Sequence, residues 1–145
     1  MLQIKQAHKI FGDQVVIDHL DLTIQDNQLV TLLGPSGCGK STLLRCIAGL
    51  ENLDSGTIEL NGRDITRAKP QKRDVAMVFQ NYALFPNMTV ADNVAFGLRM
   101  KKIKGEERQQ KVARILKLVE LDAFATHKPT ALSGGQKQRV AWHAA

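Results

Sequence analysis

Nine residues constrain this chain more than any other stretch: Gly34-Pro35-Ser36-Gly37-Cys38-Gly39-Lys40-Ser41-Thr42. Before them runs Leu29-Val30-Thr31-Leu32-Leu33, short, apolar and partly β-branched, which predicts a buried strand; after them Thr42 to Ala48 predicts a helix. A strand that turns through glycines into a helix can ring an anion with backbone N–H groups. The helix adds its own unpaired N–H groups and the positive end of its dipole. A polyphosphate is the anion such a loop surrounds. On that reading Lys40 bridges the β- and γ-phosphates, the Ser41 hydroxyl ligates Mg²⁺, and Thr42 is free to reach the α-phosphate. A glycine-rich turn ahead of an ordinary helix is the bland alternative, and the flanking strand and helix argue against it.

A length of 145 residues suffices for one domain with a real core. No apolar stretch approaches the roughly 20 residues of a membrane span. Met1-Leu2-Gln3-Ile4-Lys5 lacks a signal-peptide layout, so a cytosolic location is expected. Cys38 and Cys46 stand about 12 Å apart along a regular helix. That is too far for a disulfide and the wrong spacing for zinc, so both read as reduced packing residues. The formal charge of +6 raises nucleic acid as a partner, but the bases are scattered over Lys69 to Arg73, Arg99 to Lys104 and Arg108 to Arg114. The aromatic patch of Phe79, Tyr82 and Phe85 is not interleaved with them as stacking platforms would be, which argues against nucleic-acid binding. Solvated helix faces, or a face toward an anionic membrane surface, account for the charge.

Ahead of the glycine loop, Leu2 to His8, Val15-Val16-Ile17 and Leu20 to Ile24 predict an antiparallel β layer. The turn between them exposes Phe11, which reads either as core or as a ring able to stack on a purine. Thr57 to Leu60 predicts a strand entering an Asn61-Gly62 turn, and Val75 to Phe79 a buried strand ending at Gln80. A polar side chain at the carboxyl end of a buried strand is where open α/β sheets place ligand groups; Gln80 either caps its loop or holds Mg²⁺ or water. From Thr89 the pattern turns helical, with Val112, Ile115, Leu116 and Val119 at helical spacing. Ser133-Gly134-Gly135-Gln136 opens another helix, either as a simple cap or as a second anion-holding N-terminus.

The glycine loop, Gln80 within Val78 to Pro86, and Leu132-Ser133-Gly134-Gly135-Gln136, in that order, resemble the nucleotide-binding subunit of ATP-binding cassette (ABC) transporters over about Leu2 to Ala141. The wording is most similar to bacterial import ATPases of the polyamine, ferric-iron, phosphonate and sugar group. The resemblance implies an α/β fold: a P-loop NTPase core with an antiparallel β layer and a helical subdomain. It divides the chain into a nucleotide-binding core over 1–88, a helical subdomain over 89–132 and the start of the signature helix over 133–145. It implies that Phe11 stacks on adenine with Val16 beside it, and that Ser36, Gly37, Cys38, Gly39, Lys40, Ser41 and Thr42 form the Walker A loop on ATP. Gln80 becomes the Q-loop contact to Mg²⁺ and water. Ser133, Gly134, Gly135 and Gln136 become the signature that closes on ATP held by the opposite subunit. The partners implied are a second ATP-binding subunit in a head-to-tail dimer, transmembrane permease subunits and, indirectly, a periplasmic solute-binding protein. The location implied is peripheral on the inner face of the cell membrane. A P-loop kinase or GTPase is disfavoured by Leu132 to Gln136 and by the lack of an Asn-Lys-x-Asp.

The resemblance also implies a continuation after Val140-Ala141 through Leu-Ala-Arg to a Walker B strand with its aspartate and catalytic glutamate, then a switch histidine. Here the letters read Trp142-His143-Ala144-Ala145. Deleting one base from codons for Leu-Ala-Arg yields Trp-His-Ala, so a frameshift near codon 142 is expected, with a truncated fragment of a longer chain as the rival. The implied fold then lacks strands between the glycine-loop strand and the Gln80 strand, leaving apolar edges open and stability poor. Either the chain retains the ATPase function of the family or it is a non-catalytic nucleotide-binding or permease-docking remnant.

Overall fold

The computed structural model describes the backbone of residues 1–79 and 82–144, with side chains through Trp142. Two compact units divide it, Met1–Met77 and Val78–Ala145.

In the first unit, β1 (Leu2–Phe11) and β2 (Gln14–Ile24) form a hairpin closed at Gly12 and Asp13. β3 (Ser55–Leu60) pairs with the other side of β1, and β4 (Arg63–Asp64) returns from it, giving the antiparallel order β2-β1-β3-β4. Asn61 and Gly62 both take positive φ, 52° and 76°, the turn that an Asn-Gly pair favours because its twist matches the strands. α1 (Lys40–Ala48) lays Leu43 and Cys46 against Ile4, Ala7, Ile17, Leu53, Ile58 and Ile65. The sequence expectation of an antiparallel β layer holds, with one correction. The apolar runs at Val15 and Leu20 belong to a single strand, broken in register at Asp18 and His19.

Two expected strands do not form. Leu29 to Leu33 and Val75 to Phe79 make no ladder, and Leu29 and Leu33 stand 97% and 88% exposed. An apolar, β-branched run has the capacity to be a strand, but the strand itself needs a neighbour for its N–H and C=O groups. Among the described residues none lies beside either run. Only Leu32 and Val75 are drawn onto the core.

Behind α1, the buried guanidinium of Arg73 donates to the carbonyl oxygens of Cys46 (2.6 Å), Ile47 (2.9 Å), Thr66 (2.9 Å) and Ala68 (2.8 Å). These include the carbonyls that a helix end leaves unpaired, where a cation also suits the dipole. Gly49, at φ 75°, leaves the space: a Cβ there would meet Arg73 Nε at 2.5 Å.

The second unit packs α2 (Val90–Met100), α3 (Gly105–Leu118) and α4 (Gly134–Ala144) around Val90, Val94, Leu116, Val119, Leu121, Leu132 and Val140. Thr89 caps α2 by accepting from the Asp92 N–H at 3.1 Å. Buried Asn93 fastens the incoming loop: its Oδ1 accepts from Phe85 N at 2.8 Å, and its Nδ2 donates to the carbonyls of Phe85 and Thr89 at 3.2 and 2.9 Å. No helix among the described residues is long and apolar enough to cross a membrane.

Candidate phosphate-binding site

The loop from Gly34 to Cys38 stays exposed and enters α1 through half-buried Gly39, whose φ of 90° is left-handed. Glycine is required there twice over. A side chain strains at that φ, and a Cβ would lie 2.5 Å from the Val16 carbonyl oxygen of β2. The loop is thus pressed against the hairpin as closely as backbone allows. Gly37 has φ of 85° and open space where a Cβ would stand.

Lys40, the first residue of α1, folds back over this loop. Its ammonium donates to the carbonyl oxygens of Gly34 and Pro35, both at 2.7 Å, and lies 3.3 Å from the Cys38 sulfur. Among the described residues no carboxylate pairs with it. An ammonium held only by neutral groups, beside a helix N-terminus whose N–H groups have no intrahelical acceptor, leaves a recess suited to an anion. Ser36, Ser41 and Thr42 border it in sequence, Ser41 exposed and Thr42 half-buried. A cleft of about 380 Å³ adjoins, walled by Val16, Asp18, Leu32, Cys38, Gly39 and Lys40. A glycine that a Cβ would jam, a hydroxyl at the second helical residue and a lone cation form a donor set that fits a magnesium-bound polyphosphate.

Cys38 departs from expectation. Cys46 is a buried packing residue, and burial pushes its thiol pKa up, but Cys38 is exposed on the loop. Its sulfur lies beside the Lys40 ammonium on the exposed loop and not among core side chains. Phe11 is 46% exposed at the hairpin end, so the core alternative fails. The Lys9 ammonium lies 4.8 Å from its ring centroid. Burial, the largest influence on Lys9, lowers its pKa, yet its contacts with Glu51 at 3.0 Å and Asp54 at 3.6 Å outweigh that and raise it. Val16 is brought directly onto Gly39. Gln80 lies outside the described residues.

In the second unit, Ser133 and Gln136 cap one another. The Gln136 N–H donates to Ser133 Oγ at 3.3 Å, and the Ser133 N–H donates to Gln136 Oε1 at 2.8 Å. This reciprocal box is the cap reading of the sequence realised. Gly134 and Gly135 remain exposed; a Cβ on Gly135 would meet nothing within 4 Å, and one on Gly134 only the Tyr82 hydroxyl at 3.7 Å. Sequence reading missed Arg73 and Asn93, which position α1 and the loop before α2. Arg73 sits in a run of charges that resembles a linker, and no spacing signals a carbonyl cluster.

A glycine loop, a lone ammonium and a helix N-terminus beside an antiparallel layer define an α/β protein of the P-loop class. The family described as ABC transporter matches residues 17–145, and the chain belongs to that family. It is 51% identical over 141 residues to the spermidine/putrescine import ATP-binding protein PotA of Haemophilus influenzae, covering 97% of this chain and 38% of that protein. It is 54% identical over 140 residues to the Fe(3+) ions import ATP-binding protein FbpC of Mannheimia succiniciproducens, covering 97% and 40%. The chain thus spans about two fifths of the length of these relatives. Among solved structures, the dimeric structure of a bacterial ABC transporter cassette superposes with a TM-score of 0.88 at 32% identity, over 99% of this chain and 68% of that one. A dimeric post-hydrolysis state of an ATP-binding cassette bound to ADP and Pi superposes with a TM-score of 0.82 at the same identity and coverage.

Proposed function

We propose that this chain holds the ATP-gripping part of the ATP-binding subunit of a bacterial importer. The observation that carries the reading is the Lys40 ammonium, folded over the Gly34 and Pro35 carbonyls at 2.7 Å with no acidic partner among the described residues. A β,γ-phosphate pair would take that ammonium from the two carbonyls. Ser36 to Gly39 would supply N–H groups, Ser41 would hold Mg²⁺ with Gln80, and Phe11 and Val16 would border the base. Bound Mg²⁺ would supply charge neutralisation across the phosphates. Ser133, Gly134, Gly135 and Gln136 would serve the ATP of a second subunit in a head-to-tail pair, and the helical unit with Tyr82 and Phe85 would face permease subunits at the inner face of the membrane. A periplasmic binding protein would deliver the solute. Polyamine or ferric iron is the solute class, by likeness to relatives named for spermidine/putrescine and Fe(3+) import.

A second reading, binding without hydrolysis, is favoured by the exposure of Leu29 and Leu33, which leaves the approach to the loop unsupported on one side. Titration of a fluorescent ATP analogue with Mg²⁺ tests the common core of both readings. Saturable binding abolished by Lys40→Ala is expected. Absence of binding, or binding indifferent to Lys40→Ala, refutes the proposal. Steady phosphate release by the pure chain separates the first reading from the second.

A further inference from the structure

The register between β1 and β2 steps from Ala7 opposite Leu20 to Lys9 opposite Ile17, so the single residue His8 faces two residues, Asp18 and His19. This is a β-bulge, and His19 carries it at φ 42°. The bulge gathers side chains that an unbroken ladder would spread over both faces. The rings of His8 and His19 lie with centroids 4.7 Å apart. Asp18 Oδ1 is 2.7 Å from His19 Nδ1 and 3.5 Å from His8 Nδ1. One ligating atom from each of the three side chains lies within 4.8 Å of the others. His8 Nδ1 is shielded from solvent yet has no hydrogen-bond partner, the one such side-chain atom among the described residues. Its distance to Asp18 is too long for a hydrogen bond, and a shielded polar atom without a partner is costly.

We infer that His8, Asp18 and His19 form a binding site for one divalent transition-metal ion of the zinc class, clipping β1 to β2. Two neutral imidazoles and a carboxylate are the donors that borderline ions prefer, with water completing the shell. Mg²⁺, which seeks oxygen and keeps its waters, does not compete well for imidazole, so this site and the glycine loop select different ions. Binding satisfies the orphaned His8 nitrogen. His19 gives up its hydrogen bond to Asp18, its ring proton residing on Nε2 so that the Nδ1 lone pair is free. Bonds of about 2.0–2.2 Å require the three atoms to draw together. His19 and Asp18, with side chains 61% and 74% exposed, are free to rotate inward. The clip bears on the loop beside it, because Asp18 shares a cleft wall with Gly39 and Lys40.

The test is calorimetric titration of Zn²⁺ into the chelator-stripped chain without nucleotide, with thermal unfolding followed alongside. A single saturable equivalent and a raised unfolding temperature are expected, unaffected by excess Mg²⁺. His8→Gln and His19→Asn each weaken binding by more than the about 10–100-fold that loss of an outer partner costs a metal site. Asn tolerates the left-handed φ at position 19, so that variant keeps the bulge, as circular dichroism verifies. His127→Gln leaves binding unchanged. Co²⁺ in place of zinc gives d–d absorption without a thiolate charge-transfer band, which separates this site from Cys38 and Cys46. No saturable binding, a thiolate band, or affinity unchanged in both the His8 and His19 variants overturns the inference.

Discussion

Replacing Arg73 by Met keeps an apolar stem of similar length and removes the head that gathers four carbonyl oxygens at 2.6–2.9 Å. Burial, partly offset by Cys46 and Asp64, lowers the guanidinium pKa, but an arginine stays charged at any working pH. The variant therefore loses a charged donor fork; the Cys46 carbonyl keeps the Gly49 N–H at 3.2 Å, and the Ile47 carbonyl loses its donation from Arg73. Hydrogen bonds to charged groups contribute about 1.5–3 kcal/mol each and are not additive. A loss of about 3–5 kcal/mol is expected, against total stabilities of about 5–15 kcal/mol for native proteins. Cys46 offers the assay, since it is 1% exposed and sits among the residues Arg73 holds. Under native conditions a thiol reagent modifies exposed Cys38 at once and Cys46 only when the first unit opens. When reclosing outpaces labelling, the Cys46 rate tracks the open population. Arg73→Met is expected to speed that slow phase about a hundredfold to a few thousandfold. Arg73→Lys, one ammonium against four acceptors, falls between the two. A slow phase unchanged in Arg73→Met, or equal in Arg73→Lys and the parent, refutes the reasoning.

Gly39→Ala places a Cβ 2.5 Å from the Val16 carbonyl oxygen at φ 90°, and backbone strain there costs about 1–3 kcal/mol before the clash is counted; a lower urea midpoint together with weaker nucleotide binding is expected. Asn93→Ala unfastens Phe85 and leaves its part-buried N–H without the Asn93 acceptor; a destabilisation of about 1–3 kcal/mol is expected in urea titration followed by Trp142 fluorescence. Acid sensitivity follows from carboxylates held below their ordinary range: Asp64 by the Thr66 hydroxyl and N–H, Asp54 by the Ile10 N–H, and Asp92 by Thr89 and Arg99. Because folding lowers these pKa values, their contribution is full above the unfolded value of about 3.9 and is lost as pH falls through the folded values. The urea midpoint is therefore expected to hold steady from neutral pH to about 5 and to fall below about 4, less steeply in Asp64→Asn.

What the sequence disclosed depended on whether a feature was local. The Asn61-Gly62 turn, the helix start at Thr89 and the glycine turn into α1 are each specified by residues within a few positions of one another, and each formed, although the strand expected ahead of the glycine turn did not. Leu29 to Leu33 failed because a strand is a relation between segments, and pattern reports only one side of it. The bulge at Asp18 and His19 looked like polar punctuation between two strands, since no composition rule distinguishes an unpaired residue inside a strand from a break. Arg73 was hidden for the opposite reason: its partners are backbone carbonyls, which every residue carries and no letter marks. Ser133 to Gln136 kept both of its readings open, because the groups that cap a helix are those that can hold an anion.

Amide hydrogen exchange across residues 34–42, with and without Mg²⁺-ATP, reports whether this loop grips nucleotide. The N–H groups of an exposed loop and a helix start exchange fast when free and slowly when they grip phosphate. Slowing confined to that stretch and its immediate supports, absent in Lys40→Ala, is expected. Exchange there that nucleotide leaves unchanged, while the β1–β2 hairpin remains protected, would contradict that grip.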